Sequence, residues 1–394
     1  MRNSRWTMLG LGTGAQTAGT TYLYGLVCLI PALHAERPGA SLAALGGVTA
    51  APGIGMVLGV FAWGAIADRK GERLTILVGL GAAAVLLVAA AAEGPLLLQG
   101  LLLVLAGAAG SAVYAASGRV VVGWFPPGQR GLAMGIRQAS QPVGVGLAGA
   151  VLPALAEWGG VRAALLTCSA ACVCAAVVCA FLLVDAHRPA AAVAATGPSP
   201  YRRAEIWQLH GASVLLVVAQ SVAVTFATDF VVHERRWSLT AAGAVLACAQ
   251  FAGAVARVAA GRWSDRVADR MVPLRVIAVA ATAALGMLAV TAEFGPGASV
   301  FALLLAGLVT VSWHGIAYAA VSDAAPSGWT GRAVGAQTTV QNVAAALTPY
   351  AFGAGIQAHG YGPAYALAAS APLAAALVLP RARAATRRLM PAGG

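Results

Sequence analysis

Along the chain, apolar stretches long enough to cross a bilayer alternate with short breaks that carry Gly, Pro and charge. A spanning helix needs about 20 mostly apolar residues. Twelve such segments can be drawn, near 7–33, 41–66, 74–92, 95–125, 131–155, 160–185, 206–232, 239–263, 272–292, 297–325, 331–356 and 361–380. The breaks read "HAERPGA", "AAEGP", "EWGGVR" and "EFGPGA", which are turn and helix-end compositions. The pattern predicts an all-α integral membrane protein whose twelve spans return both ends of the chain to one side. After "MRNSRW" the first apolar run continues to Leu33 without an A-x-A-like cleavage site. A signal-peptide core is only about 7–15 residues long, so this run is expected to be a retained transmembrane helix.

Composition agrees with that pattern, and charge orients it. Hydrophobic residues make up 59% of the 394, above the roughly 45–50% of soluble domains, and the mean hydropathy is +0.79. The net charge of +12 would suggest nucleic acid in a soluble chain, but the placement of the charge argues otherwise. If the odd-to-even turns lie outside, only Arg37, Arg162, Arg235 and Arg236 of the 25 Lys and Arg face outward. This bias predicts a cytoplasmic-membrane protein with both termini and the central stretch "HRPAAAVAATGPSPYRRAE" in the cytoplasm. The expected organisation is a six-helix bundle over 1–185, a linker over 186–204 and a second bundle over 205–394. Cys28, Cys168, Cys172, Cys174, Cys179 and Cys248 all lie in apolar segments. The C-x-C at Cys172 and Cys174 has no His or carboxylate in its segment, so these read as small buried hydrophobes rather than metal ligands or a disulfide framework.

The two halves look related. "GAIADR" from Gly64 and "GRWSDR" from Gly261 align at an offset of 197. "GLAMGIRQASQPV" from Gly131 and "GRAVGAQTTVQNV" from Gly331 align at 200, and "AQTAGTTY" from Ala15 faintly matches "AQSVAVTF" from Ala219. Three matches in order point to two parallel six-helix repeats.

The turn between the second and third spans, "GAIADRKGER", holds five charges in a chain only 10% charged. It resembles the G-x-L-A-D-R-x-G-R-(K/R) signature of the major facilitator superfamily, with a weaker copy at Gly261, Asp265 and Arg266. The resemblance implies a secondary carrier in which two bundles rock about a central small-molecule site, functional as a monomer and with coupled protons as one option. Gly64 and Gly71 permit close approach and a tight turn. Asp68 is placed to meet a helix N-terminus or an arginine on the same inner surface. With Arg69 and Arg73, these residues are expected to form a conformational latch.

Ionisable groups inside spans are costly and therefore point to function. Arg257 precedes Asp265 by eight residues, which places it roughly 12 Å inward at 1.5 Å per residue, near the midplane. Gln250 shares its face. An arginine there suits an anion or is satisfied by helix carbonyls. "AVARVAAG" also resembles the eighth helix of monocarboxylate and oxalate/formate carriers, which implies a substrate role for Arg257. Gly253 stands where the mammalian monocarboxylate carriers have an acidic residue. The stretch "ASGRVVVGWFPPGQRGLAMGIRQASQPVG" resembles bacterial carriers of small organic acids and cyanate-like anions. In it Arg137 and Gln141 share a face, as Gln337 and Gln341 do in the other half. Arg137 lines a cavity or serves an inner gate.

Gln16, Thr20 and Tyr24 on the first span, and Gln220 on the seventh, form polar stripes that are either cavity-facing or interhelical glue. His314 and Tyr318 make another such pair. Asp229 and His233 are candidates for proton coupling, or an interfacial polar cluster. The expected function is transport of a small organic anion such as a monocarboxylate. A proton-coupled drug or metabolite antiporter is the alternative, although "QPVGVGLAG" and Leu103 depart from the patterns of drug exporters. A membrane enzyme needs clustered His, Cys or carboxylates, which the spans lack. No cofactor is implied, because no metal cluster and no G-x-x-x-x-G-K-(S/T) sequence occurs.

Overall fold

The computed structural model describes residues 4–92, 94–186, 199–227, 230–231, 236–237, 239–267, 269–292 and 296–381. Asp229, His233 and most of the predicted linker lie outside the described residues. The helices are α1 (Arg5–Gly25), α2 (Ile30–Glu36), α3 (Leu42–Lys70), α4 (Glu72–Ala90), α5 (Leu96–Gly110), α6 (Ala112–Trp124), α7 (Arg130–Leu182), α8 (Ala204–Thr225), α9 (Leu239–Arg266), α10 (Met271–Thr291), α11 (Pro296–Val311), α12 (His314–Ala324), α13 (Thr330–His359) and α14 (Tyr361–Val378). No strand occurs among the described residues.

These fourteen helices make twelve traverses. α1 and α2 run on through a 3-10 turn, Leu26–Leu29, α5 leads into α6, and α11 into α12. The 53-residue α7 is two traverses that meet at Gly159 and Gly160. Among the described residues nine stretches are long and apolar enough to span on composition, with the two passes of α7 counted as one stretch. α13 falls outside that set because it carries Gln337, Gln341 and Asn342.

The repeat is visible in the breaks between helices. Gly160 and Gly360, 200 residues apart, have φ of 71 and 82° with ψ near 180° in both. A Cβ disfavours that backbone conformation. The α5/α6 and α11/α12 breaks each centre on a serine that turns back on its own helix. Ser111 Oγ donates to Ala108 O at 2.7 Å, and Ser312 Oγ donates to Val309 O at 2.8 Å. Such bonds compete with the helix ladder and bend it.

One hydrophobic core lies wholly within residues 8–183, and two more lie within 206–379. A smaller cluster joins the halves at the end carrying the Gly64–Arg73 turn, here called the motif end. It packs Leu9, Val121, Phe125, Ala133 and Met134 against Tyr318, Ala319 and Val334. Beside it the halves touch backbone to backbone. A Cβ on Gly64 would lie 2.7 Å from the Gly331 carbonyl carbon, and one on Gly261 would lie 2.7 Å from that of Gly131. In lipid, where burial of apolar surface does not drive helices together, such close approach is what dispersion requires.

Closure of the motif end therefore depends on the absence of these side chains. Gly64→Val or Gly261→Val is expected to hold the halves apart. Overpacking costs about 1–3 kcal/mol, so in a cysteine-free background water-soluble maleimide should label Ala133→Cys roughly tenfold faster. Gly81→Val, with nothing within 4 Å of its Cβ, should leave that rate unchanged.

Candidate functional site

At the motif end, each half places an aspartate on the N-terminus of a helix from the other half. Asp68 Oδ1 accepts the Gly331 N–H at 2.8 Å and Oδ2 accepts that of Arg332 at 3.1 Å. Asp265 accepts the N–H groups of Gly131 and Leu132 at 2.8 and 2.7 Å. The first turn of a helix has unsatisfied N–H groups and partial positive charge, so a carboxylate there is doubly favoured. Arginines complete both sites. Arg119 bonds Asp68 and reaches Glu72 at 3.0 Å. Arg270 pairs with Asp265 at 3.2 Å and with Asp323 at 2.8 Å. Asp323 also accepts from Arg130 of the first half at 2.5 Å. The side chains of Arg69, Arg73 and Arg266 are exposed. The positive partners come instead from Arg119 and Arg270, which the motif itself does not point to.

Between the halves lies a cavity of about 60 Å³. Tyr24, Tyr114, Gln138 and Gln141 line it from the first half. Gln220, Ser221, His314, Tyr318, Thr338, Gln341 and Asn342 line it from the second. The Tyr24 hydroxyl donates to Asn342 Oδ1 at 2.7 Å, bridging the halves. Tyr318 donates to Gln341 Oε1 at 3.1 Å, and the Tyr114 hydroxyl lies 2.8 Å from Thr20 Oγ1. Two lining atoms, Gln341 Nε2 and Gln220 Oε1, are buried without a partner. Orphaned buried polar atoms are expensive, and a bound solute can satisfy them.

Two buried arginines, Arg137 and Arg257, do not line the cavity but bond to residues that do. Arg137 Nε donates to Ser117 Oγ at 2.8 Å, Nη1 to Gln138 Oε1 at 2.7 Å and Nη2 to the Tyr114 carbonyl at 2.5 Å. Its guanidinium carbon lies 5.2 Å from the Tyr318 ring centroid. Arg257 Nη1 donates across the halves to the Gln138 carbonyl at 2.8 Å, and Nε to the Val311 carbonyl at 3.2 Å. Every one of these acceptors is a neutral oxygen. Among the described residues neither guanidinium is paired with a carboxylate.

The remaining sequence candidates are divided between the cavity and its surroundings. Gln141, Gln220, Gln341, His314 and Tyr24 line the cavity. Thr20 holds Tyr114 from behind, and Gln16 accepts from Ser117 at 2.6 Å, so both support the floor. Gln337 is engaged by His210 and Ser213, each at 2.5 Å. Gln250 lines a separate apolar pocket with Ala223 and Leu303. Sequence reasoning passed over Tyr114, Gln138, Ser221, Thr338 and Asn342. The 200-residue repeat carried a usable signal, because it pairs Tyr114 with His314 and Gln138 with Thr338.

Removing the Asp68 charge leaves Arg119 with Glu72 alone and takes the carboxylate from the first turn of α13, and breaking a buried pair of this kind costs about 3–5 kcal/mol. Asp68→Asn is expected to lower uptake in proteoliposomes more than about tenfold while the protein still inserts. Arg69→Ala, at an exposed position, should stay within about twofold. Equal effects of the two variants would show that the cross-half cap has no part in transport.

Comparison with known proteins gives this geometry a context. Residues 11–349 match the family model of the Major Facilitator Superfamily. Over 393 residues, 99% of this chain and 86% of the relatives' length, it is 39% identical to two uncharacterized MFS-type transporters of Mycobacterium tuberculosis, from strains CDC 1551 / Oshkosh and ATCC 25618 / H37Rv. Its fold is similar to that of a proton:xylose symporter bound to 6-bromo-6-deoxy-D-glucose, with TM-score 0.80 at 15% identity, covering 95% of this chain and 94% of that one. It is also similar to the human organic anion transporter MFSD10, with TM-score 0.74 at 14% identity, covering 95% and 97%. The match across most of its length and the twelve-traverse fold place the chain in the Major Facilitator Superfamily, whose members are multi-pass membrane transporters of small molecules rather than enzymes.

Proposed function

We propose that this transporter carries a small organic anion of the monocarboxylate class across the cytoplasmic membrane by alternating access, with its motif end in the cytoplasm. The observation that carries the reading is the pair of buried guanidiniums, Arg137 and Arg257, whose hydrogen bonds all end on neutral oxygens, among them those of the cavity-lining residues Tyr114 and Gln138. Uncompensated buried charge is costly, and a carboxylate in the cavity would offset it. A carboxylate accepts planar, paired donors of the kind arginine supplies. The unpartnered Gln341 Nε2 adds a neutral donor. The small volume favours a solute of few atoms.

Arg257 also links the site to closure. Its bond to the Gln138 carbonyl runs between halves, so opening the motif end breaks it and frees a donor beside the cavity. In this reading the anion competes for a guanidinium that otherwise holds the halves together.

Thermal stabilisation of the purified protein by formate, acetate, lactate, pyruvate and oxalate, set against a panel of cationic drugs, tests the class. A ligand at a hundred times its Kd contributes about 2.7 kcal/mol. Carboxylates should raise the melting temperature and cations should not; the reverse would favour an exporter. Loss of a charge-assisted pair in a desolvated site costs about 2–5 kcal/mol. Arg257→Lys should therefore weaken anion affinity more than about tenfold, and Arg257→Gln should abolish uptake. If folded Arg257→Gln binds carboxylate normally, the arginine is structural. Orientation is read separately with thiols at two exposed positions. His359→Cys should be labelled from outside, and Arg69→Cys only after permeabilisation.

A further inference from the structure

Among the described residues one imidazole lines the cavity, and it is that of His314. His34 and His359 are exposed, and His210 is turned toward Gln337. No described carboxylate lines the cavity. His314 is buried at 5% exposure, its ring stacked on Trp313 with centroids 4.1 Å apart. Nδ1 lies 3.3 Å from the Val311 carbonyl. A carbonyl only accepts, so Nδ1 carries the ring proton and Nε2 is the basic atom. The same carbonyl accepts from Arg257 Nε at 3.2 Å, so the imidazole and the guanidinium sit on one oxygen.

Among the described residues the charges around this ring are all of one sign. α9 presents Arg257 and α7 presents Arg137 with the neutral Gln138. α8 presents Gln220 and Ser221, and α13 presents Thr338 and Gln341, all neutral. On α10, Arg275 is committed to the carbonyls of Ala376, Leu379 and Pro380. On α12 itself, Tyr318 is neutral and Asp323 pairs with Arg130 and Arg270. A proton on Nε2 therefore adds positive charge beside Arg257 with no described carboxylate to offset it, unless an anion occupies the cavity. Two ligands of opposite charge that share a site favour each other's binding by the same factor.

We infer that His314 is the proton site of this transporter: Nε2 takes one proton from solvent when the anion binds, and imidazolium and anion cross the membrane together. On the far side the proton returns to water and the anion leaves, so the balance is one anion and one proton per cycle. This inference rests on the anion reading above, and adds the coupling that reading leaves open.

The test uses radiolabelled pyruvate and the full chain in proteoliposomes, with pyranine inside to report protons and the membrane potential clamped to zero. Uptake by protein-free liposomes is subtracted. One pH unit, acid outside, is equivalent to a tenfold ratio, so wild type should accumulate pyruvate about tenfold and acidify the lumen as it does so. His314→Asn keeps an amide donor for the Val311 carbonyl but has no titratable nitrogen. It should accumulate no pyruvate and leave pyranine unchanged, and any exchange of labelled for unlabelled pyruvate that it retains shows that it folds. Accumulation or acidification by His314→Asn overturns the inference, as does wild-type pyruvate uptake without proton entry. If His314→Asn does not exchange, calorimetry of pyruvate binding to wild type in phosphate and imidazole buffers decides. Heats that differ by the buffers' ionisation enthalpies show proton uptake, and equal heats overturn the inference. Wild type that neither moves pyruvate nor is stabilised by any carboxylate overturns the anion reading itself, an outcome distinct from uncoupled pyruvate transport.

Discussion

The structure depends on two carboxylates seated on the first turns of helices from the opposite half. Asp68 on α13 and Asp265 on α7 supply what those N-termini lack. They reach them only because glycine meets glycine beside each contact, Gly64 with Gly331 and Gly261 with Gly131. The two contacts exchange when the halves are exchanged, so the sequence repeat reappears as a repeated joint. Each joint is strong when formed and can be replaced by water when it opens, which suits an element with two arrangements.

From each joint, one helix stripe runs up to the cavity. On α7 it passes from Gly131, held by Asp265, to Gly135, packed on the Arg257 carbonyl, to Gln138, which bonds both buried arginines. On α13 it passes from Gly331 to Gly335, packed on the Val60 carbonyl, to Thr338 at the cavity. Positions i, i+4 and i+7 share a helix face. Closure at one end and the polar floor of the cavity are thus two ends of the same pair of interfaces. The halves differ where their chemistry differs, because Arg137 in the first half corresponds to Gln337 in the second. The positive charge is gathered on one interface, α7 against α9.

Much of this was legible in the chain. Twelve apolar segments, the offsets of 197 and 200 and the charged turn at Gly64 were sufficient to indicate twelve traverses and to single out Asp68 and Asp265 at the motif end. Gln141, Gln220, Gln341, His314 and Tyr24 were visible as polar side chains on apolar faces. The arginines of the motif were misleading for a physical reason. Arg69 and Arg73 share the signature with Asp68, yet a long charged side chain at a helix end turns to solvent, and the partner of Asp68 is Arg119, 51 residues further on.

What the sequence determines alone is whatever each segment can settle with the bilayer: which stretches span, where they break and how the two halves repeat, since transfer of apolar side chains into lipid is a local quantity. Partnership is not local. That Asp68 meets the Gly331 amide across 263 positions, that Arg257 rests on the carbonyls of Gln138 and Val311 rather than facing open space, and that Gln250 and Gln337 turn away from the cavity while Gln138 and Asn342 face it, were decided by the packing of helices. Helical periodicity gives the face a residue shares but not the neighbour that face meets. In a membrane, where every face but the polar one is equally at home against lipid or protein, only the assembled fold makes that choice.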